Sequence, residues 1–124
     1  MAKRKILIIE DEKSLAKLIY QAFDPALYEI ILAGEVKEGM KKAIFEKPDL
    51  IVLDIILAGN NGFRLLADLK SNQETKKIPV IILSNLGQAE EIRKGKELGA
   101  IDYLVKADFS IDEVVKRITD ASKK

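Results

Sequence analysis

Asp49-Leu50-Ile51-Val52-Leu53-Asp54 is a short unbroken apolar run between two carboxylates. A half-buried strand would alternate apolar and polar residues. A continuous run of this length fits a strand covered on both faces, as in a parallel sheet. Three other stretches are mainly apolar and also stop at a polar residue. Lys5 to Ile9 stops at Glu10-Asp11, Val80 to Leu83 stops at Ser84, and Ile101 to Val105 stops at Lys106. As parallel strands of one sheet, these runs would gather three carboxylates, a hydroxyl and an ammonium at its carboxyl edge. Ligands of open α/β sheets bind at that edge.

Helical patterns fill the spaces between the runs. Leu15, Leu18, Ile19, Ala22 and Phe23 recur at helical spacing, and Asp24-Pro25 ends that helix. Tyr28 to Leu32 supplies one more strand. A second helix carries Val36, Met40, Ala43 and Ile44 on one face and closes at Lys47-Pro48, with Asp49 to Leu53 as the third strand. After a Gly59-Asn60-Asn61-Gly62 loop, Phe63, Leu65, Leu66 and Leu69 mark a third helix. The fourth helix, about Gln88 to Leu98, has few apolar positions and Gly95 inside it, which predicts a less stable element that can move. Gly99 is its expected stop. Ser110-Ile111-Asp112-Glu113 forms a capping box for a fifth helix with Ile111, Val114, Val115 and Ile118 inward. The pattern is (βα)5, an α/β doubly wound three-layer sandwich around a five-stranded parallel sheet, one domain over residues 1–124.

Composition narrows the chemistry. The chain has neither cysteine nor histidine, so disulfides, thiolate sites, imidazole bases and phosphohistidine are all excluded. Reactions must run on carboxylates, hydroxyls, lysines and backbone groups. A formal charge of +1 gives no field favouring nucleic acid or an anionic membrane. No run of eighteen apolar residues exists, so no membrane insertion is expected and the cytoplasm is the default location.

Each polar strand end has a plain structural reading. Asp54 and Asp11 could cap the helices that follow them. Ser84 could cap a loop, Tyr103 could simply pack, and Lys106 could be solvated. Jointly they point elsewhere. Three carboxylates at adjacent strand ends repel one another unless a cation is present, and Mg²⁺ takes such oxygen ligands together with phosphate oxygens.

Ile-Ile-Glu10-Asp11-Glu12, Asp49-Leu-Ile-Val-Leu-Asp54, Gly62, Ile-Ile-Leu-Ser84 and Tyr103-Leu-Val-Lys106 together resemble the response-regulator receiver domain of two-component signalling. The likeness covers essentially the full length and implies a flavodoxin-like sheet of order 2-1-3-4-5. It implies a phosphoacceptor signalling domain rather than an enzyme. Asp54 would take a phosphoryl group from a partner histidine kinase or histidine phosphotransfer protein. Asp11, Asp54 and the backbone carbonyl of Ile56 would hold Mg²⁺, with Glu10 acting through water. Lys106 and Ser84 would each pair with a phosphoryl oxygen. Ser84 moving toward the phosphate would let Tyr103 turn inward, changing the face of fourth helix, fifth strand and fifth helix where a downstream protein target would dock.

Two departures bear on geometry. The family places proline after the lysine in a cis peptide, whereas here Ala107 follows Lys106. A non-proline cis bond costs about 2.5–4 kcal/mol, so a trans peptide and a differently placed lysine are expected. Ala58 replaces a proline favoured four residues after the acceptor, which predicts a looser loop beside the site. The large Ile56 side chain is expected to hinder hydrolytic water.

Two rival readings remain. A haloacid-dehalogenase-type phosphatase needs a second aspartate where Ile56 stands. A receiver-fold binding module would keep the fold without being phosphorylated. With the chain ending after the fifth helix, output is expected through protein contact, with no direct nucleic-acid binding.

Overall fold

Alternation along the buried strands builds the layers of the fold. In the computed structural model, which describes residues 3–57 and 60–123, successive strand residues point to opposite faces and feed two separate cores. Leu7, Ile9, Ile51, Leu53, Val80, Ile82 and Tyr103 face one side. Ile6, Ile8, Leu50, Val52, Ile81, Leu83 and Leu104 face the other.

The main sheet contains β1 (Arg4–Ile9), β2 (Tyr28–Ala33), β3 (Leu50–Leu53), β6 (Val80–Ser84) and β7 (Asp102–Val105). Its order is β2-β1-β3-β6-β7, all parallel. This is the expected 2-1-3-4-5 arrangement, because β4 (Ile56–Leu57) and β5 (Asn60–Asn61) form a separate antiparallel pair. Helices α1 (Lys13–Ala22) and α5 (Ile111–Ser122) cover one face through Ile19, Phe23, Val114 and Ile118. Helices α2 (Val36–Glu46), α3 (Gly62–Ser71) and α4 (Ala89–Glu97) lie on the other side.

The short β4–β5 pair corrects the loop expected over residues 59–62. Asn60 and Asn61 are strand, and Gly62 already belongs to α3. Ala58 and Gly59 lie outside the described residues. A second correction concerns α1, where Leu18 is 52% exposed although it sits on the apolar stripe. The helix seats Leu15, Ala16, Ile19 and Phe23 against the sheet and α5. Consecutive helical residues are about 100° apart, so Leu18 swings out beside Ile19.

Helix ends follow the expected chemistry where a side chain sets them. Ser110 Oγ accepts from Glu113 N at 3.2 Å, and Glu113 Oε1 accepts from Ser110 N at 2.9 Å. Gly99, with φ of +111°, ends α4 in a conformation that side chains rarely adopt. Helix α4 buries only Gly95 along its length, in keeping with its thin apolar pattern.

Candidate functional site

Register in the sheet brings the polar strand ends to one edge. Ile9 is paired with Leu53, Leu53 with Ile82, and Ser84 with Val105. The residues that follow β1, β3 and β7 therefore emerge together, beside Ser84 at the end of β6. Backbone bonds continue past the strands: Asp54 N donates to Ile9 O at 3.0 Å and Glu10 N to Ala33 O at 2.9 Å.

Lys106 occupies the centre. Its ammonium lies 2.8 Å from Asp54 Oδ2, 2.8 Å from Glu10 Oε1 and 3.9 Å from Glu12 Oε2. The Glu10 and Asp54 side chains are only 3% and 6% exposed, and Lys106 is 13% exposed. Among the described residues every peptide bond is trans, so Lys106 reaches Asp54 without the proline that the resemblance calls for. It does so from the first residue of a 3-10 turn, Lys106–Asp108.

The second oxygen of each buried carboxylate is held by the backbone. Asp54 Oδ1 accepts from Ile56 N at 3.0 Å, and Glu10 Oε2 accepts from Glu12 N at 3.0 Å. These bonds orient both groups. Capping does not account for Asp54, because Asn61 Oδ1 caps α3 through Phe63 N at 2.8 Å. The N-cap residue of α1 is Glu12 rather than Asp11.

Burial shapes the electrostatics. It pushes the Glu10 carboxyl up to about 7, with the charge of Asp54 adding to the effect and bonds from Lys106 and the Glu12 amide opposing it. Burial works to lower Lys106, but its bonds to Asp54 and Glu10 outweigh that and hold the ammonium above its ordinary range.

A metal ion fits this donor set. Glu10, Asp11 and Asp54 each offer a carboxylate oxygen, all within 4.8 Å of one another. Three carboxylates face one ammonium, leaving a negative excess that a divalent cation would neutralise. Asp11 is the most exposed of the three, so the cluster opens to solvent on its side. Ile56, whose amide bonds Asp54, is half exposed.

Ser84 and Tyr103 are linked through Leu86, and the Ser84 hydroxyl also lies within hydrogen-bond reach of the Tyr103 phenol. Ser84 is fully buried, and its Oγ accepts from Leu86 N at 3.3 Å. The Tyr103 hydroxyl donates to Leu86 O at 2.6 Å, with the residue 7% exposed. The ring is thus already turned inward while Ser84 still holds the Leu86 amide. Burial, then the charge of Glu91, raise the phenol above its ordinary range. Leu86 was not a sequence-level candidate, since its part is played by backbone atoms that carry no side-chain signal. Glu12 was missed for another reason: it was visible in the acidic run, yet nothing in the spacing says that its amide orients Glu10.

Comparison with known proteins bears on family and fold. Residues 6–119 match the response regulator receiver domain. The phosphate regulon transcriptional regulatory protein PhoB of Pseudomonas aeruginosa is 36% identical over 118 residues, covering 95% of this chain and 51% of that protein. The chain spans about half the length of the curated relatives it matches. The receiver domain of a Francisella response regulator superposes with a TM-score of 0.85 at 32% identity, covering 98% of both chains. The Mn²⁺-bound form of response regulator Rcp1 gives a TM-score of 0.74 at 25% identity, covering 94% of this chain and 90% of that one.

Proposed function

This chain belongs to the response regulator receiver domain family, and we propose that it is a Mg²⁺-dependent phosphoacceptor whose acceptor is Asp54. The observation that carries the reading is the buried Asp54 carboxylate, held by Ile56 N on one oxygen and by Lys106 on the other.

The chemistry asks little of the protein beyond placement and charge. A carboxylate oxygen of Asp54 attacks phosphorus, an O–P bond forms, and the P–N bond to a histidine of the donor breaks. The imidazole leaves and takes up a proton from water. This chain has no histidine, so the donor is a partner histidine kinase, a histidine phosphotransfer protein or a small phosphodonor. Lys106 moves from neutralising Asp54 to neutralising a phosphoryl oxygen, and the Ser84 hydroxyl donates to another.

Glu10, Asp11, Asp54 and the carbonyl of Ile56 would hold the ion, Glu10 through water. Mg²⁺ would supply charge neutralisation at the phosphoryl oxygens. Rcp1, a protein of the same fold, has been solved with Mn²⁺ bound, which supports a divalent ion here. Output passes to a protein partner at the face formed by α4, β7 and α5. Among the described residues no helix is long and apolar enough to cross a membrane.

Incubation with Mg²⁺ and acetyl phosphate tests the reading by intact mass. One phosphate should be gained, and none by Asp54→Ala. An inert wild-type chain would instead favour a binding module, and sustained release of inorganic phosphate a phosphatase.

A further inference from the structure

We propose that Gly95 is a positioning residue: it forms the seat on α4 that holds Tyr103 inward and so presets the α4–β7–α5 face before any phosphoryl group arrives. The proposal concerns the unphosphorylated chain and stands apart from whether Asp54 accepts phosphate.

Glycine is a poor helix former, and Gly95 lies inside α4 rather than at its end. The space around it supplies the reason. A Cβ built at Gly95 would lie 2.5 Å from Ile82 Cδ1, 2.9 Å from Tyr103 Cδ2 and 3.2 Å from Tyr103 Cε2. Real Cβ atoms do not approach that closely, so a side chain here must displace the ring, the Ile82 methyl or the helix. The ring itself is buried, with Tyr103 only 7% exposed, beside the fully buried Ile82. At its far end the hydroxyl is tied to Leu86 O.

The seat also joins α4 to the site. Leu86 accepts from Tyr103 through its carbonyl and donates to Ser84 through its amide. A shift of Ser84 is therefore felt by the residue that pins the ring, and the ring is what α4 rests on at Gly95. Beyond Gly95 the helix has only Ile92 and its C-cap Leu98 packed on this core, so the ring's position is a substantial part of what holds it.

Photo-CIDNP on the full chain, without Mg²⁺ or phosphodonor, reads which tyrosines a flavin dye can reach. In the wild type Tyr20, which is 51% exposed, should give signal and Tyr103 should not. Gly95→Ala should make Tyr103 visible, and should do so equally in an Ile82→Val background, where the closest methyl is gone. Melting temperature gives a second readout. In an Ile82→Val background, Gly95→Ala should lower Tm when Tyr103 is present and raise it when Tyr103→Ala is added, where both close contacts are gone and helix propensity remains. Unfolding only when Tyr103 is present supports the seat equally well. The proposal fails if Tyr103 stays dark in Gly95→Ala, if Ile82→Val alone abolishes the effect, or if the substitution destabilises both backgrounds alike.

Discussion

Lys106 and Asp54 meet at 2.8 Å from the ends of strands that do not touch, since β6 lies between β3 and β7 in the sheet. The lysine spans that gap and bonds Glu10 as well, so one ammonium is shared between two buried carboxyl groups. Removing it should leave both groups buried without a cationic partner, held only by their backbone amides. Lys106→Met is expected to lose about 3 kcal/mol of stability in urea denaturation at neutral pH. The loss should shrink as pH falls toward 5, where Glu10 takes up its proton, and on adding Mg²⁺. A loss that ignores both pH and Mg²⁺ would mean that the lysine acts only as packing.

Glu10 should make stability and metal binding depend on pH. Its folded-state value of about 7 lies above the ordinary 4.5, so the folded chain binds more protons than the unfolded chain between those values. Its contribution to stability is therefore complete below about 4.5 and lost as pH rises through 7. Without metal, the melting temperature of wild type relative to Glu10→Gln should fall as pH is raised from 5 to 8. Mg²⁺ binding at pH 7 should expel protons, because the ion favours the carboxylate. Titration calorimetry in two buffers of different ionisation enthalpy measures that release, which should vanish in Glu10→Gln.

Ile56 anchors Asp54 through its amide, two residues after the acceptor, and is itself half exposed. A bulky apolar group there should impede the water that hydrolyses the acyl phosphate. Ile56→Asn is expected to speed dephosphorylation by up to about tenfold, equivalent to ~1.4 kcal/mol of barrier. Loss of label after removing the phosphodonor measures it, and an unchanged rate excludes the hindrance.

Away from the site, the Ser110–Glu113 box should matter for folding alone. The backbone and side-chain bonds of Ser110 hold the Glu113 carboxyl below its ordinary range, a contribution present above that range and lost as pH falls. Ser110→Ala should cost about 1 kcal/mol of stability, read by urea denaturation, with acetyl phosphate labelling unchanged.

What the sequence reveals depends on whether side chains carry the information. The polar residues ending the main-sheet strands were legible because apolar runs of three or four residues stop abruptly at Glu10, Asp54, Ser84 and Lys106. The Ser110 cap was legible because its partner is three residues away. The β4–β5 pair was not, since two-residue strands have no period to detect. Leu18 misled because a stripe of apolar residues does not say which arc faces the sheet. Ala107 raised an expectation of a displaced lysine, yet a long flexible side chain starting from a 3-10 turn still reaches Asp54. The Leu86 bonds to Ser84 and Tyr103 lay beyond reading altogether, being made by the backbone.

Gly62 joins the backbone of the acceptor segment to α3. Its amide donates to Ile55 O at 2.8 Å, and a Cβ there would lie 2.6 Å from Ile55 Cα and 2.7 Å from Asp54 O. Those neighbours are backbone atoms, which cannot rotate away as a side chain does. Gly62→Ala must therefore push apart α3 and the Asp54–Ile56 segment, at an overpacking cost of about 1–3 kcal/mol. The same displacement moves the Ile56 amide that orients Asp54 Oδ1 and the Ile56 carbonyl assigned to the metal. We expect weaker Mg²⁺ binding and slower labelling by acetyl phosphate, beyond what the lost stability explains. Comparing Gly62→Ala with Ser110→Ala, at temperatures where both are fully folded, separates the two effects. Equal labelling rates would show that the acceptor segment tolerates the shift.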